Sequence, residues 1–357
     1  MRFGAEEASI KMARSANQLP ITILPPPDRS GASDQEMAKA GRKSDRADES
    51  HSHQNQGDVV IPACRQKPRH GQVNETTYRI RLADGRTLAC LALGDPEGRP
   101  VLYFHGYPGS RLEGRLAADP ARRLGLRLIA PDRPGFGEST FQPGRTIGAW
   151  AADVAELADQ LALDRVAVVG VSGGGPYALA CAARIPERLS RVALVGGMAP
   201  VAFRELTHDM VILNRLVLAL AARSPLVARL GIHVAVLWIR GDPHRYLAAI
   251  TAGASPADRI VLADPAYRAL VAESTAEAIR PGGRGVAWEL TLLAQPWDFT
   301  LAEVRVPVRI WQGLDDNTVP TAMGPLPGRR AAAQRVSLPP RRGSLVADRS
   351  ASRRRPR

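Results

Sequence analysis

The residues best suited to chemistry lie between Val166 and Ala180, VAVVGVSGGGPYALA. Val166, Val168, Val169 and Val171 are β-branched and suit a strand buried on both faces, and the chain turns helical directly after the glycines that follow. Between strand and helix stands G-x-S-x-G, read as Gly170-Val171-Ser172-Gly173-Gly174, with glycine where a tight turn leaves no room for a Cβ. A serine held at such a turn exposes its hydroxyl at the tip of a sheet, with a helix N-terminus behind it, and can serve as a nucleophile. A Gly-rich βα turn with an incidental serine would read the same, so the neighbouring elements must decide. No metal site or cofactor is expected. Cys64, Cys90 and Cys181 are scattered with no Cys-x-x-Cys, and His51-x-His53 has no acidic or thiol partner at ligand spacing.

The elements that would position Ser172 follow in order. Residues 1 to about 72 are rich in Ser, Asp, Gln, Lys and Pro and offer too little apolar surface to offset ordering entropy. They are expected to form a disordered extension, with a regulatory tail or a start assigned too early (Met12 and Met37 lie inside it) as the other readings. Order is expected from near Thr76. A hairpin turns at Asp84-Gly85, followed by a buried strand Val101-Leu102-Tyr103-Phe104 and a helical stretch Arg111 to Leu124 with a break before Pro120. A strand Leu126 to Ala130, a helix Ile147 to Leu163, the Val166 strand, a helix Pro176 to Ile185 and a strand Val192 to Val195 complete the alternation. This pattern predicts an α/β fold with a mainly parallel sheet and helices on both faces. From about Met198 to Asp298 the text is helical, as for a cap inserted over the C-terminal edge of the sheet. Its apolar residues Val211, Leu216, Leu218, Leu220, Leu226 and Val227 are expected mostly to pack the cap onto the core. The sheet then resumes with Val308-Arg309-Ile310-Trp311.

The chain has 357 residues, room for one large domain or two ordinary ones, and is 45% hydrophobic. Its net charge of +13 is uneven: residues 324–357 hold ten arginines against Asp348 alone. The remaining body has no basic excess to hold phosphates, so nucleic acid is not an expected partner. The tail's arginines lack the amphipathic or aromatic pattern of an anchor for nucleic acid or anionic membrane. The first residues include Glu6 and Glu7 and no continuous apolar run, and the longest apolar stretches, Met210 to Ala222 and Pro225 to Ile239, are short for a span. The expectation is a cytoplasmic protein without a membrane partner.

Four motifs in this order resemble the α/β-hydrolase superfamily. They are Phe104-His105-Gly106-Tyr107-Pro108-Gly109 after the third strand, Asp132-Arg133-Pro134-Gly135-Phe136-Gly137-Glu138-Ser139 after the fourth, the Ser172 turn, and Gly313-x-x-Asp316-x-x-x-Pro320 after a late strand. The resemblance covers about residues 76 to 323 within a domain spanning 73–323, cap included. It implies an eight-stranded sheet opened by a hairpin, and acyl-transfer chemistry on a small ester, thioester, lactone or related acyl compound. It further implies Ser172 as nucleophile and Asp316 as the triad acid, with Asp315 the runner-up in a turn that would otherwise be solvated. The backbone N–H groups of Tyr107 and Gly173 would form the oxyanion hole, and His105 would shape that loop without acting as base.

The resemblance also implies a histidine about 25 residues after the acid, but no histidine follows His244. His208, His233 and His244 all precede Asp316, in the cap. Without a base a serine hydroxyl is a poor nucleophile, so activity is expected to be impaired. A non-catalytic protein that holds a small ligand in the same fold is the competing reading. Past Met323 the text is Arg/Pro-rich and unlike a domain's end, with Pro339-Pro340-Arg341-Arg342-Gly343 near its centre. Degenerate codons allow Arg341 to Leu345, read one base later, to give Gly-Glu-Gly-His, so residues 324–357 are expected to be an out-of-frame tail. The edge of the sheet beside Val308 to Trp311 would then be left bare.

Overall fold

A computed structural model of the chain describes residues 75–201, 204–323 and 335–337. The extension expected over 1–72 lies outside the described residues, as does most of the tail. Strands β1 (Thr76–Arg81), β2 (Thr87–Gly94), β3 (Arg99–Phe104), β4 (Leu126–Pro131), β5 (Val166–Val171), β6 (Leu189–Val195), β7 (Val308–Trp311) and β8 (Arg335–Ser337) form one sheet. Their spatial order is β1-β2-β4-β3-β5-β6-β7-β8. The β1–β2 hairpin turns at Gly85, whose φ of 83° a Cβ would disfavour. β2 pairs antiparallel with β4, and all later pairings are parallel.

Parallel strands need crossovers, and the sequence supplies helices for them. α1 (Ala118–Arg123), α2 (Trp150–Gln160) and α3 (Gly175–Arg184) return the chain between strands. On one face of the sheet Leu102, Phe104, Val168 and Leu194 pack with Trp150 and Tyr177; on the other, Leu91, Val101, Tyr103 and Leu128 pack with Leu112 and Ala121. Burial on both faces is what the valine-rich β5 anticipates.

The chain runs from β3 outward to β4, then crosses back to place β5 on the other side of β3, with Phe104 beside Gly170. The loops after β3 and β5 therefore leave the same sheet edge side by side. Such a reversal of winding opens a crevice at the C-terminal ends of the strands.

Between β6 and β7 the described residues form six helices: α4 (Ile212–Arg223), α5 (Pro225–Gly241), α6 (Pro243–Ile250), α7 (Pro256–Leu262), α8 (Pro265–Ala278) and α9 (Arg284–Ala294). Prolines at the starts of α5 to α8 sit where no intrahelical N–H bond is lost, and Ser224, Asp242, Ser255 and Asp264 cap those helices.

Three expectations need correction. The stretch from Arg111 breaks earlier than Pro120, into a 3₁₀ turn (Arg111–Ala117) and α1. Pro120 falls within the first turn of α1, where its missing N–H costs nothing, so it helps start a helix instead of ending one. The edge beside β7 is not bare, because Arg335–Ser337 pairs with Arg309 to Trp311. A three-residue strand centred on one valine and closed by Pro339-Pro340 carries too little pattern to stand out from its Arg/Pro-rich surroundings.

The third correction concerns the insertion. Leu216, Leu220, Leu226 and Val227 do not pack it onto the core; they are exposed, and Val211 and Leu218 are half-buried. The inner faces of α4 and α5 place Ala221 and Ala228 against Leu290 and Ala294 of α9, and α5 also turns Val236 and Ile239 inward onto Ile279 and Val286. The contact is filled by these residues, and Leu216, Leu220, Leu226 and Val227 lie on the opposite side of their helices.

Candidate active site

Ser172 opens a 3₁₀ turn (Ser172–Gly174) that joins β5 to α3, and its φ is 49°. A non-glycine residue in the left-handed region is strained, and a strand-to-helix reversal in so few residues requires it. The packing demands the glycines around it. A Cβ on Gly170 would stand 2.6 Å from Gly174 O. One on Gly173 would stand 2.7 Å from Tyr107 Cβ and 3.3 Å from Tyr107 N. Glycine at 173 thus brings the loop after β3 against the turn after β5, so that the backbone of Tyr107 borders Gly173. Among the described residues the Tyr107 amide donates no hydrogen bond.

The β3 loop is held from several sides. Arg133, fully buried, donates to His105 O at 2.6 Å and to Gly106 O at 3.0 Å, turning both carbonyls toward itself. The Glu113 carboxylate accepts the Gly106 N–H at 3.0 Å and 3.1 Å, and the Tyr103 hydroxyl at 2.9 Å. The Tyr107 hydroxyl donates to Val286 O of α9 at 3.1 Å. The Tyr107–Pro108 peptide is cis.

His105 is fully buried in this loop. Its Nδ1 lies 2.8 Å from Gly106 O, a group that only accepts, so Nδ1 carries the proton and Nε2 is left to accept the Arg133 N–H at 3.5 Å. Burial, and then the Arg133 guanidinium, hold its pKa well below the ordinary imidazole range. A neutral ring with both nitrogens engaged has no free lone pair to offer Ser172. His208, His233 and His244 are exposed. Among the described residues the Ser172 hydroxyl has no hydrogen-bond partner.

Asp316 leaves the same sheet edge, in the loop after β7, one strand removed from β5. Its carboxylate is buried while Asp315 is exposed, so of the two acids Asp316 turns inward. Oδ1 accepts the N–H groups of Thr318 at 2.9 Å and Val319 at 2.8 Å, and Oδ2 accepts from Gln312 Nε2 at 3.1 Å. Burial dominates these bonds and pushes its pKa up to about 7, helped by the Asp258 carboxylate on α7. The consequence for stability has a definite sign. Between the unfolded value of 3.8 and about 7 the folded chain binds a proton that the unfolded chain has released. This stabilisation is fully present below pH 3.8 and is lost as pH rises through about 7. Asp316→Asn should remove that dependence, which amounts to as much as about 1.4 kcal/mol per pH unit. Thermal melts of both proteins at pH 5 and pH 8 check it, and a wild-type-to-variant difference that stays constant across that range would count against a shifted Asp316.

A buried ionic cluster was not foreseen. Glu289 on α9 accepts from Arg133 Nη2 at 2.6 Å, from Arg145 Nη2 at 2.8 Å and from the Tyr177 hydroxyl at 3.0 Å. All four side chains are buried, and the Arg133 guanidinium stacks 4.7 Å from the centre of the Tyr177 ring. Burial pushes the Glu289 carboxyl up, but Arg133 and Arg145 outweigh it and leave the group below its ordinary value. The sequence held one signal, a lone acid inside the apolar run Val286 to Ala294. Two surface hollows, of about 410 Å³ beside Leu112 and Ile239 and about 190 Å³ beside Phe141 and Trp288, do not include Ser172.

The comparisons with known proteins agree with this architecture. Over 142 residues the chain is 40% identical to a 2-hydroxy-6-oxo-2,4-heptadienoate hydrolase of Pseudomonas putida, covering 39% of this chain and 50% of that protein. Over 132 residues it is 33% identical to a non-heme chloroperoxidase of Streptomyces lividans, covering 36% and 48%. The chain thus spans about half the length of these curated relatives. Among solved structures it superposes on an esterase from Exiguobacterium antarcticum with a TM-score of 0.55 at 19% identity, covering 75% of this chain and 92% of that one. The family model described as alpha/beta hydrolase fold matches residues 99–339. With the sheet, the strained serine turn and a family match over most of its length, the chain belongs to the α/β-hydrolase fold family.

Proposed function

We propose that this chain carries the nucleophile, acid and oxyanion hole of a serine hydrolase for a small ester or related acyl substrate, with turnover impaired because a base is missing. The observation that carries the reading is the strained Ser172 with the Tyr107 backbone against Gly173. Ser172 Oγ would attack the carbonyl carbon, and the amides of Tyr107 and Gly173 would receive the developing oxyanion. Asp316 would orient and stabilise a protonated histidine, were one supplied. Arg133 is a positioning residue: by drawing in the His105 and Gly106 carbonyls it leaves the following Tyr107 amide free to point the other way. The name of one relative, a 2-hydroxy-6-oxo-2,4-heptadienoate hydrolase, fits hydrolysis of a small molecule.

One observation favours a second reading, a non-catalytic protein that holds a small ligand: among the described residues no histidine hydrogen-bonds Ser172, since His105 has both ring nitrogens engaged and His208, His233 and His244 are exposed. A phosphonofluoridate probe separates the two. Its reactive phosphorus makes weak nucleophiles visible through slow covalent labelling. Mass spectrometry should find the adduct on Ser172, and Ser172→Ala should lose it. Absence of any adduct on the wild-type chain after prolonged exposure, with the protein still folded, would favour the binding reading.

A further inference from the structure

The outer face of the α4–α5 hairpin carries an apolar surface that the described residues leave exposed. Leu226, Leu230, Val234 and Leu237 recur at helical spacing along α5, with exposures of 72%, 66%, 58% and 58%, and Trp238 beside them is 47% exposed. Ile212, Leu213, Leu216 and Leu220 extend the surface across α4. Together they expose apolar area on the order of 1,000 Å², beyond the few hundred that ordinary monomer surfaces show.

The charge around this face identifies what it meets. Between Val211 and Ile250 stand five arginines and one acid, Asp242, which already pairs with Arg245. Arg229, His233 and Arg240 share a flank of α5, one helical step from the leucines, and all three are exposed. A second copy meeting this face across a two-fold axis would bring like charges together around its rim. A surface of anionic headgroups over hydrocarbon satisfies both features, since leucines enter the acyl boundary while arginines stay at headgroup level. We propose that the α4–α5 face docks on an anionic lipid surface. The expectation of no membrane partner rested on the lack of a spanning segment, and among the described residues no helix is long and apolar enough to cross a membrane. A helix pair that lies on the surface needs no such length. The inner side of the pair packs against Tyr107 and α9, so the docked face is one helix thickness from the loop that borders Ser172. This inference stands on exposure and charge and does not depend on Ser172 being reactive.

The test is flotation of the full-length chain with phosphatidylcholine vesicles, with and without 30 mol% phosphatidylglycerol. Binding should favour the anionic vesicles and weaken with salt. Leu230→Glu with Leu237→Glu should lower it roughly a hundredfold, about tenfold per leucine withdrawn from the acyl boundary. Arg229→Glu with Arg240→Glu should lower it at least twentyfold, about fivefold per arginine lost near an anionic surface. Both pairs are exposed, and circular dichroism checks that the variants fold. Trp238 fluorescence should shift to the blue on vesicles, and Trp238→Phe should remove that shift. The arginines beyond Met323 remain in every variant, so binding that survives the leucine substitutions would place the contact in the tail and overturn the proposal. So would the absence of vesicle binding, or a dimer by light scattering that Leu230→Glu dissociates.

Discussion

A chain continued from Met323 in the next reading frame, ending in a strand and Gly-x-Gly-His, is expected to hydrolyse a short-chain aryl ester up to about a millionfold faster than this one. That is the order of magnitude a catalytic triad loses with its histidine. On the proposed reading the nucleophile would be Ser172, held at φ 49°, and the acid Asp316, bonded to Thr318, Val319 and Gln312. A histidine arriving beside Asp316 would take up a proton as Ser172 attacks, and the cation would draw the raised Asp316 pKa down again. Ser172→Ala in the restored chain should abolish the gain. The nucleotide sequence after the Met323 codon is the first check. Stop codons throughout that frame, or a restored protein without turnover, would sink the impaired-enzyme reading and leave ligand binding ahead.

Glu289→Ala is expected to cost about 3–5 kcal/mol of stability, the usual penalty for leaving a buried charge unpaired. It strands two arginines whose side chains are 0% and 2% exposed. Glu289→Gln keeps the shape and loses the charge, and should fall between the variant and the wild type. Denaturant melts of the three proteins measure this. A loss below about 1 kcal/mol for Glu289→Ala would show that the cluster contributes no more than a surface pair does. Because the same Arg133 also binds the His105 and Gly106 carbonyls, phosphonate labelling of Ser172 should slow in Glu289→Ala under conditions where the variant remains folded.

How far the sequence discloses this site depends on the range of each interaction. Ser172 is legible because its constraints are local: the valine run makes the strand, and glycines permit the turn within a few residues. Asp316 over Asp315 is legible only through the motif spacing; what turns Asp316 inward is its burial and the Thr318 and Val319 amides. Arg133 stood within a quoted motif but had no partner until the fold brought Glu289 to it from 156 residues away. β8 stayed hidden for a related reason, since its three residues are a strand only by virtue of pairing with β7. The outward leucines of the α4–α5 pair differ from expectation because helical periodicity reveals a face without saying which way it turns, and here the inward side is taken by Ala221, Ala228, Val236 and Ile239.

The bonds from α9 to the loops after β3 and β4 also limit how a reactant can arrive. Glu289 is locked to Arg133, the Tyr107 hydroxyl is tied to Val286 O, and Trp288 Nε1 donates to Arg145 O at 2.9 Å. Lifting the whole insertion as one body would break all three and expose two arginines stripped of their counter-ion. By contrast, α4 and α5 meet α9 through apolar contacts, Ala221 and Ala228 with Leu290 and Ala294, and Val236 with Val286. Access to the crevice is therefore bounded on the α9 side by a wall whose polar links tie it to the sheet-edge loops, while the α4–α5 pair is held to that wall by apolar packing.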